Sequence, residues 1–157
     1  LTILNIADPA GIYRVGGFYH PGGLGGNGKS LQVIGGKIYF GRTTSHISGP
    51  PDAIADFFIL ENSSPVASPT VTGSVAFSEV NSANGVFIRQ NLAFILGAVD
   101  LKIFEIGNPA NIVESGNLSF NALAGEEFEP SFDCEGNIFF AGSNKNDRGY
   151  LSVVAAQ

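Results

Sequence analysis

The stretch LKIFEIGNPANIVESGNL, residues 101–118, contains two strand-like segments joined by a turn. Ile, Phe and Val are typical of β-strands, and the Asn-Pro dipeptide between the segments favours a turn. The same pattern occurs in ILNIADPAGIYRVGGF, residues 3–18. It begins again in FILENSSP, residues 58–65, and in YLSVV, residues 150–154. Four copies of one pattern indicate a protein built from repeats.

Two further strand-like segments precede each later copy of this pattern. The first reads SLQVIGG, NGVFIRQN or SFDCEGN, and the second reads KIYFG, LAFILG or NIFFAG. Val33, Ile88 and Cys134 align in the first segment, with spacings of 55 and 46 residues. Each repeat is therefore predicted to contain four antiparallel strands, which we name a, b, c and d in chain order from the SLQVIGG segment.

Four strands in about 50 residues are typical of a β-propeller blade. We predict an all-β chain of thirteen strands that forms a β-propeller arc of about three four-stranded blades, part of a larger propeller. The repeats cover about 1–53, 54–99 and 100–148, with a terminal strand at 149–157. A β-sandwich is the alternative, but it does not explain why one four-strand order recurs. Tyr39, Phe94 and Phe140 align in strand b and are expected to be buried between blades.

These repeats resemble the LVIVD repeat of bacterial cell-surface β-propellers, in which an apolar strand, an Asp-Pro or Asn-Pro turn and a Val-Gly strand follow one another. The stretch GKSLQVIGGKIYFGRTTS is also similar to propeller domains of pilin-like secreted proteins. The resemblance covers nearly the whole chain and implies an extracellular interaction module with no shared catalytic residues. The second repeat departs from the pattern at 62–65, and the last lacks the Asn-Pro turn.

Charge and composition exclude several classes of partner. Only 14% of the residues are charged and the net charge is −6, so the broad basic surface that nucleic acids or anionic membranes require is missing. One Cys and two His exclude a disulfide framework and a four-ligand zinc site within the chain. No apolar run reaches the ~18 residues that span a bilayer. The chain begins at Leu1 and contains no Met, so we expect a processed product or part of a longer chain.

The connections between strands differ at the two ends of the repeats. The a–b turns are tight and the c–d turns contain Pro, whereas the b–c and d–a connections vary in length. Loops on a rigid scaffold often carry recognition, so the variable end is the predicted binding face. Its candidate residues are His20, Arg42, His46, Asp52, Asp100, Glu126, Glu127, Glu129, Lys145 and Asp147.

Three motifs suggest other chemistry, and we predict no cofactor, metal or catalytic residue from any of them. GLGGNGKS, residues 23–30, matches the phosphate-loop pattern, but strand-like LQVIGG follows where that motif needs a helix. Cys134 aligns with core positions, and its acidic neighbours raise rather than lower a thiol pKa. The acidic residues at 126–129 lack the DxDxDG spacing of a calcium loop.

We therefore expect a non-enzymatic interaction or adhesion module, extracellular or at a cell surface, whose partner is a surface glycan or protein. Self-association through the open propeller ends is a further expectation, because unpaired strand edges result there. The alternative is a propeller-type hydrolase or lyase with carboxylates or His20 and His46 at its centre. A purely structural spacer is a third possibility.

Overall fold

A computed structural model of the chain describes residues 1–18, 26–44, 55–62, 68–77, 83–97, 100–119, 127–136, 138–145 and 148–155. All regular elements in these segments are β-strands, which confirms the all-β prediction. Within the same segments there is no helix of the length and hydropathy needed to cross a bilayer.

The described strands form four antiparallel sheets in chain order. Sheet 1 pairs β1 with β2, and sheet 4 joins β11, β12 and β13; sheets 2 and 3 each contain four strands, each paired with the next along the chain. The strand bounds are β1 Thr2–Asn5, β2 Tyr13–Gly17, β3 Gly26–Ile34, β4 Lys37–Thr44, β5 Phe57–Glu61, β6 Thr70–Val75, β7 Gly85–Arg89, β8 Leu92–Leu96, β9 Asp100–Glu105, β10 Val113–Ser119, β11 Glu127–Glu135, β12 Ile138–Lys145 and β13 Arg148–Ala155.

The predicted four-strand order is confirmed in the described part of the chain. Sheets 2 and 3 contain strands a to d, sheet 1 contains c and d, and sheet 4 contains a to c. The register also agrees with the sequence alignment, because Val33, Ile88 and Cys134 lie at the same position, each opposite the second residue of strand b. Sheets 2, 3 and 4 each start at strand a, so their boundaries differ from those of the predicted repeats at 1–53, 54–99 and 100–148.

The sheets pack on one another through both faces of their strands. In β5, Phe57 and Ile59 face the core shared with sheet 3, whereas Phe58 and Leu60 face the core shared with sheet 1, and all four are fully buried. This follows from the alternation of side chains along a strand, since a run of four apolar residues supplies both faces.

Sheets 3 and 4 share a smaller core on the next face. The rings of Phe94 in β8 and Phe139 in β12 lie 4.7 Å apart between centroids, and Leu101 belongs to the same cluster. The four sheets therefore form a stack in the order of the chain, with an apolar layer between each pair of neighbours.

Strands a of successive sheets lie side by side. The Ile88 amide donates to Oε1 of Gln32 at 2.7 Å, and the Val86 amide donates to Oγ of Ser30 at 3.1 Å. A Cβ atom at Gly41 of the neighbouring β4 would lie 2.6 Å from the Ala83 carbonyl oxygen. Glycine at this position thus permits the close approach of sheets 2 and 3.

The predicted burial of the aligned aromatic residues is correct for two of the three. Tyr39 and Phe94 are buried between sheets, but Phe140 is only half-buried. Its neighbour Phe139 faces sheet 3, so Phe140 points to the opposite face of sheet 4. In the described part of the chain, sheet 4 is the last of the stack, and no further sheet covers this face.

Apolar residues are exposed at both ends of the stack. Val33 in β3 is 59% exposed, whereas the equivalent Ile88 in β7 is 6% exposed because sheet 2 covers it. The predicted core position of Cys134 concerns a side chain that lies outside the described atoms. At the other end, Leu151 and Val153 of β13 are exposed.

The a–b turns use a left-handed residue in each of the three hairpins. Gly35 has φ +58°, Gly136 has φ +61°, and the equivalent position in sheet 3 is Gln90 with φ +55°. A side chain at positive φ is unfavourable, and Gln is not one of the residues that tolerate it well. Sheet 3 therefore contains backbone strain that the other two hairpins avoid.

Replacing Gln90 with Gly is expected to raise the free energy of unfolding by about 1 kcal/mol, because the left-handed conformation then costs little. The reverse change, Gly35→Ala, is expected to lower it by a similar amount, since no atom of the described residues lies within 4 Å of an added Cβ and only the backbone is strained. Urea unfolding of both variants measures the difference. A stability loss in Gln90→Gly would contradict this assignment.

Candidate functional site

The variable end of sheet 2 is held by Arg42, near the end of β4. This side chain is 5% exposed, and its Nε donates to the Ala55 carbonyl at 2.7 Å. The guanidinium carbon lies 5.0 Å from the centroid of the Phe58 ring, within the range of a cation–π contact. Burial lowers the pKa of Arg42, and the charge of Asp56 opposes that shift.

Asp56 lies beside Arg42 and is 1% exposed. Its Oδ2 accepts from the Phe77 amide at 3.0 Å, and its carbonyl accepts from the Arg42 amide at 2.8 Å. The Arg42 carbonyl accepts in turn from the Ala83 amide of sheet 3 at 3.0 Å. We name Arg42 and Asp56 the loop anchor.

The loop anchor joins the ends of two variable connections. The b–c connection leaves after Arg42 and returns at Ala55, and both residues are part of this hydrogen-bond network. The d–a connection leaves after Phe77, whose amide donates to the Asp56 carboxylate. It returns at Ala83, whose amide donates to the Arg42 carbonyl. Two of the four loop ends are therefore held by buried, oppositely charged side chains, Ala55 by Arg42 and Phe77 by Asp56. Backbone carbonyls of the same two residues hold the other two ends, Ala83 and Arg42 itself.

Asp100 is the counterpart of Asp56 in sheet 3. It opens strand c in the same register, and the Gly97 amide donates to its carbonyl at 2.7 Å. The side chain is buried, and its Oδ2 lies 3.7 Å from Nζ of Lys102, which also lies 3.5 Å from Oε2 of Glu114. Burial raises the pKa of Asp100, and Lys102 only partly offsets this.

The two predicted binding residues with described side chains thus do not offer surface to a ligand. Arg42 lies within β4 and Asp100 lies at the start of β9, so neither residue is in a loop. Both residues are also buried. This corrects the expectation that their charges face solvent on the binding face.

Three other candidates lie in strands rather than loops. Glu127 and Glu129 belong to β11, and Lys145 ends β12. The reason is that the ladders extend further than expected: Glu127 pairs with Asn144, and Lys145 pairs with Arg148. Candidates outside the described residues are His20, His46, Asp52, Glu126 and Asp147.

The phosphate-loop lookalike enters a strand, as predicted. Lys29 and Ser30 lie in β3, which continues to Ile34. The Ser30 Oγ accepts a hydrogen bond from the Val86 amide of the next sheet, so this side chain takes part in the contact between sheets. Among the described residues there is no group of three or more His, Cys, Asp and Glu side chains that would hold a metal.

Asp56 is not among the candidate binding residues predicted from the sequence, although a signal was present. An aspartate stands immediately before the apolar strand c in ADFFIL and in VDLKIF. An acidic residue next to an apolar run in two repeats indicates a buried carboxylate with a defined partner. The partner of Asp56, the Phe77 amide two residues after β6, has no sequence signature.

The chain matches no family model, no curated protein and no solved structure.

The raised pKa of Asp100 predicts a specific effect of pH. A carboxyl whose pKa is higher in the folded than in the unfolded state lowers stability as the pH rises through these two values, and the full penalty applies above them. Asp100→Asn is therefore expected to be more stable than the parent at pH 7, with a smaller difference at pH 3. Thermal melts across this range measure it, with Glu61→Gln as control, because Glu61 is an exposed carboxylate of β5 outside the Asp100–Lys102–Glu114 cluster. A less stable Asp100→Asn at pH 7 would mean that its charge is well satisfied.

Proposed function

We propose that the chain is a non-enzymatic interaction module, extracellular or at a cell surface, that binds a surface glycan or protein through its variable loop end. The loop anchor is the observation that carries this proposal. It fixes both ends of the connections at 45–54 and 78–82 on a packed sheet. Loops on such a scaffold bind with a smaller entropy loss than loops with free ends.

The finer fold belongs to the same proposal. Sheets that stack through both faces, with strands a side by side, support an arc of a β-propeller. The resemblance to cell-surface LVIVD-repeat propellers supports the location. The composition of the loops agrees with recognition, since SHISGPPDAI at 45–54 carries His46 and Asp52 among small and polar residues.

Binding of the full chain to immobilised polysaccharides and cell-envelope proteins tests this proposal. Arg42→Lys keeps the charge but removes the Nε donor to Ala55, so the affinity is expected to fall about tenfold, the equivalent of one hydrogen bond to a charged group. The matched control is Arg14→Lys, because Arg14 also donates through Nε to a carbonyl but lies exposed in β2. Its affinity is expected to stay within a factor of two, roughly the error of such measurements.

The same experiment includes a variant in which residues 45–54 are replaced by Gly and Ser. Loss of binding in this variant, with an unchanged melting temperature, supports the loop face. Full binding without the native loop would contradict it.

We further propose that the chain self-associates through the open edges of sheets 1 and 4. Among the described strands, β1 pairs only with β2 and β13 pairs only with β12, so each has a free edge. Leu4, Leu151 and Val153 are exposed on these strands. Free edges with apolar side chains tend to pair with other chains.

Light scattering is expected to show oligomers of the 157-residue chain and a shift to monomer in the double variant Leu151→Lys, Val153→Lys. Lysine on an edge strand opposes edge pairing by charge repulsion and desolvation. The control Ile6→Lys, Ile12→Lys adds the same two charges at exposed turn residues outside the strands. A monodisperse monomer of the parent chain would refute self-association.

A further inference from the structure

We propose that a polar notch at the opposite end of sheet 3 binds a neutral carbohydrate. The notch has a volume of about 400 Å³ and lies between the a–b turn and the c–d turn of this sheet. Ligand pockets usually start at about 300 Å³, so the notch has room for a sugar ring. It is lined by Asn91, Leu92, Glu105, Gly107, Asn108, Asn111 and Val113.

Backbone hydrogen bonds hold the two turns in place around the notch. The Ile106 amide donates to the Asn91 carbonyl at 2.8 Å, which ties the c–d turn to the a–b turn. Within the c–d turn, Oδ1 of Asn108 accepts from the Ala110 amide at 3.2 Å, and the Asn108 carbonyl accepts from the Asn111 amide at 2.9 Å. A ligand here meets a formed surface rather than one it must order.

The lining chemistry fits sugar hydroxyls. A carboxamide offers both a donor and an acceptor, as a sugar hydroxyl does, and Asn91 and Asn111 supply two such groups. Glu105 adds an acceptor. Leu92 and Val113 supply apolar surface against which the C–H face of a sugar ring can pack. None of the seven described residues that line the notch is cationic, so phosphate, sulfate and carboxylate ligands are disfavoured.

A cation fits the lining less well than a sugar. Calcium needs six to eight oxygen ligands. Two oxygens of the lining residues, Oδ1 of Asn108 and the carbonyl oxygen of Asn91, already accept hydrogen bonds from backbone amides. Glu105 is the one carboxylate among the described lining residues, and it would neutralise only half of the charge of a calcium ion.

The a–b turn beside the notch is strained at one residue. Gln90 precedes Asn91 and has φ +55°, where the equivalent turns of sheets 2 and 4 have Gly. Strained backbone residues are concentrated at active sites and ligand-binding sites.

This site does not depend on the loop-face proposal, because the loop anchor lies at the other end of the strands. Two experiments separate the sites. Arg42→Lys is expected to leave the sugar-induced shifts of the notch amides unchanged. The loop-face assay is repeated in a chain that carries both Asn91→Ala and Asn111→Ala, where the binding that remains is expected to depend on Arg42 and on residues 45–54.

NMR titration of the ¹⁵N-labelled full chain with galactose, mannose, N-acetylglucosamine and cellobiose tests the proposal. At least one of these sugars is expected to shift the amide signals of Asn91, Gly107 and Asn111. Asn91→Ala and Asn111→Ala are each expected to weaken the affinity about tenfold, as expected for the loss of one hydrogen bond to a fixed group. Asn117→Ala is the matched control, because Asn117 is an exposed asparagine of β10 outside the notch.

Thermal melts keep the test independent of folding, since the Asn91 and Asn111 backbone bonds remain in the alanine variants. Glucuronate is expected to bind more weakly than the neutral sugars. Three results would overturn the proposal: no shift of the notch amides with any of the four sugars, equal shifts in the parent and both notch variants, or shifts caused by calcium chloride or a blocked tripeptide alone.

Discussion

The two apolar faces of the middle sheets are the constraint on which the structure depends. β5 buries Phe57 and Ile59 on one side and Phe58 and Leu60 on the other, so sheet 2 needs a neighbour on each face. Burying four such side chains contributes several kcal/mol, about 1.5–3 for each. A single sheet of this composition has no stable solvated face, and stacking in chain order satisfies this requirement with short connections.

The same constraint explains the polar groups at the strand ends. Strands buried on both faces leave little water to solvate the chain where it turns, and buried amides need partners. The Phe77 amide donates to the Asp56 carboxylate, and the Ala83 amide donates to the Arg42 carbonyl. The loop anchor is thus first a consequence of stacking, and its proposed role in recognition follows from the loop ends that it fixes.

Much of the architecture could be predicted from the sequence because it depends on local signals. The Asn-Pro turn at 108–109 and the glycines at 35 and 36 mark chain reversals, and the apolar segments between them give the four-strand order. The exposure of residues at the two ends of the stack could not be predicted from the sequence. Val33 and Ile88 align in sequence but differ in exposure, since a neighbouring sheet covers only the second. The burial of Arg42 also had no signal, because a charged residue beside a turn usually faces solvent.

A double-mutant cycle between Phe94 and Phe139 is the most direct test of the stacked arrangement. Their rings lie 4.7 Å apart across the boundary between sheets 3 and 4. Changing each to Leu is expected to give a coupling energy of about 0.5–1.5 kcal/mol, the range of contacting aromatic pairs. The control cycle between Phe94 and Phe58, which belong to separate cores, is expected to show none. Additive effects for Phe94 and Phe139 would contradict the stack.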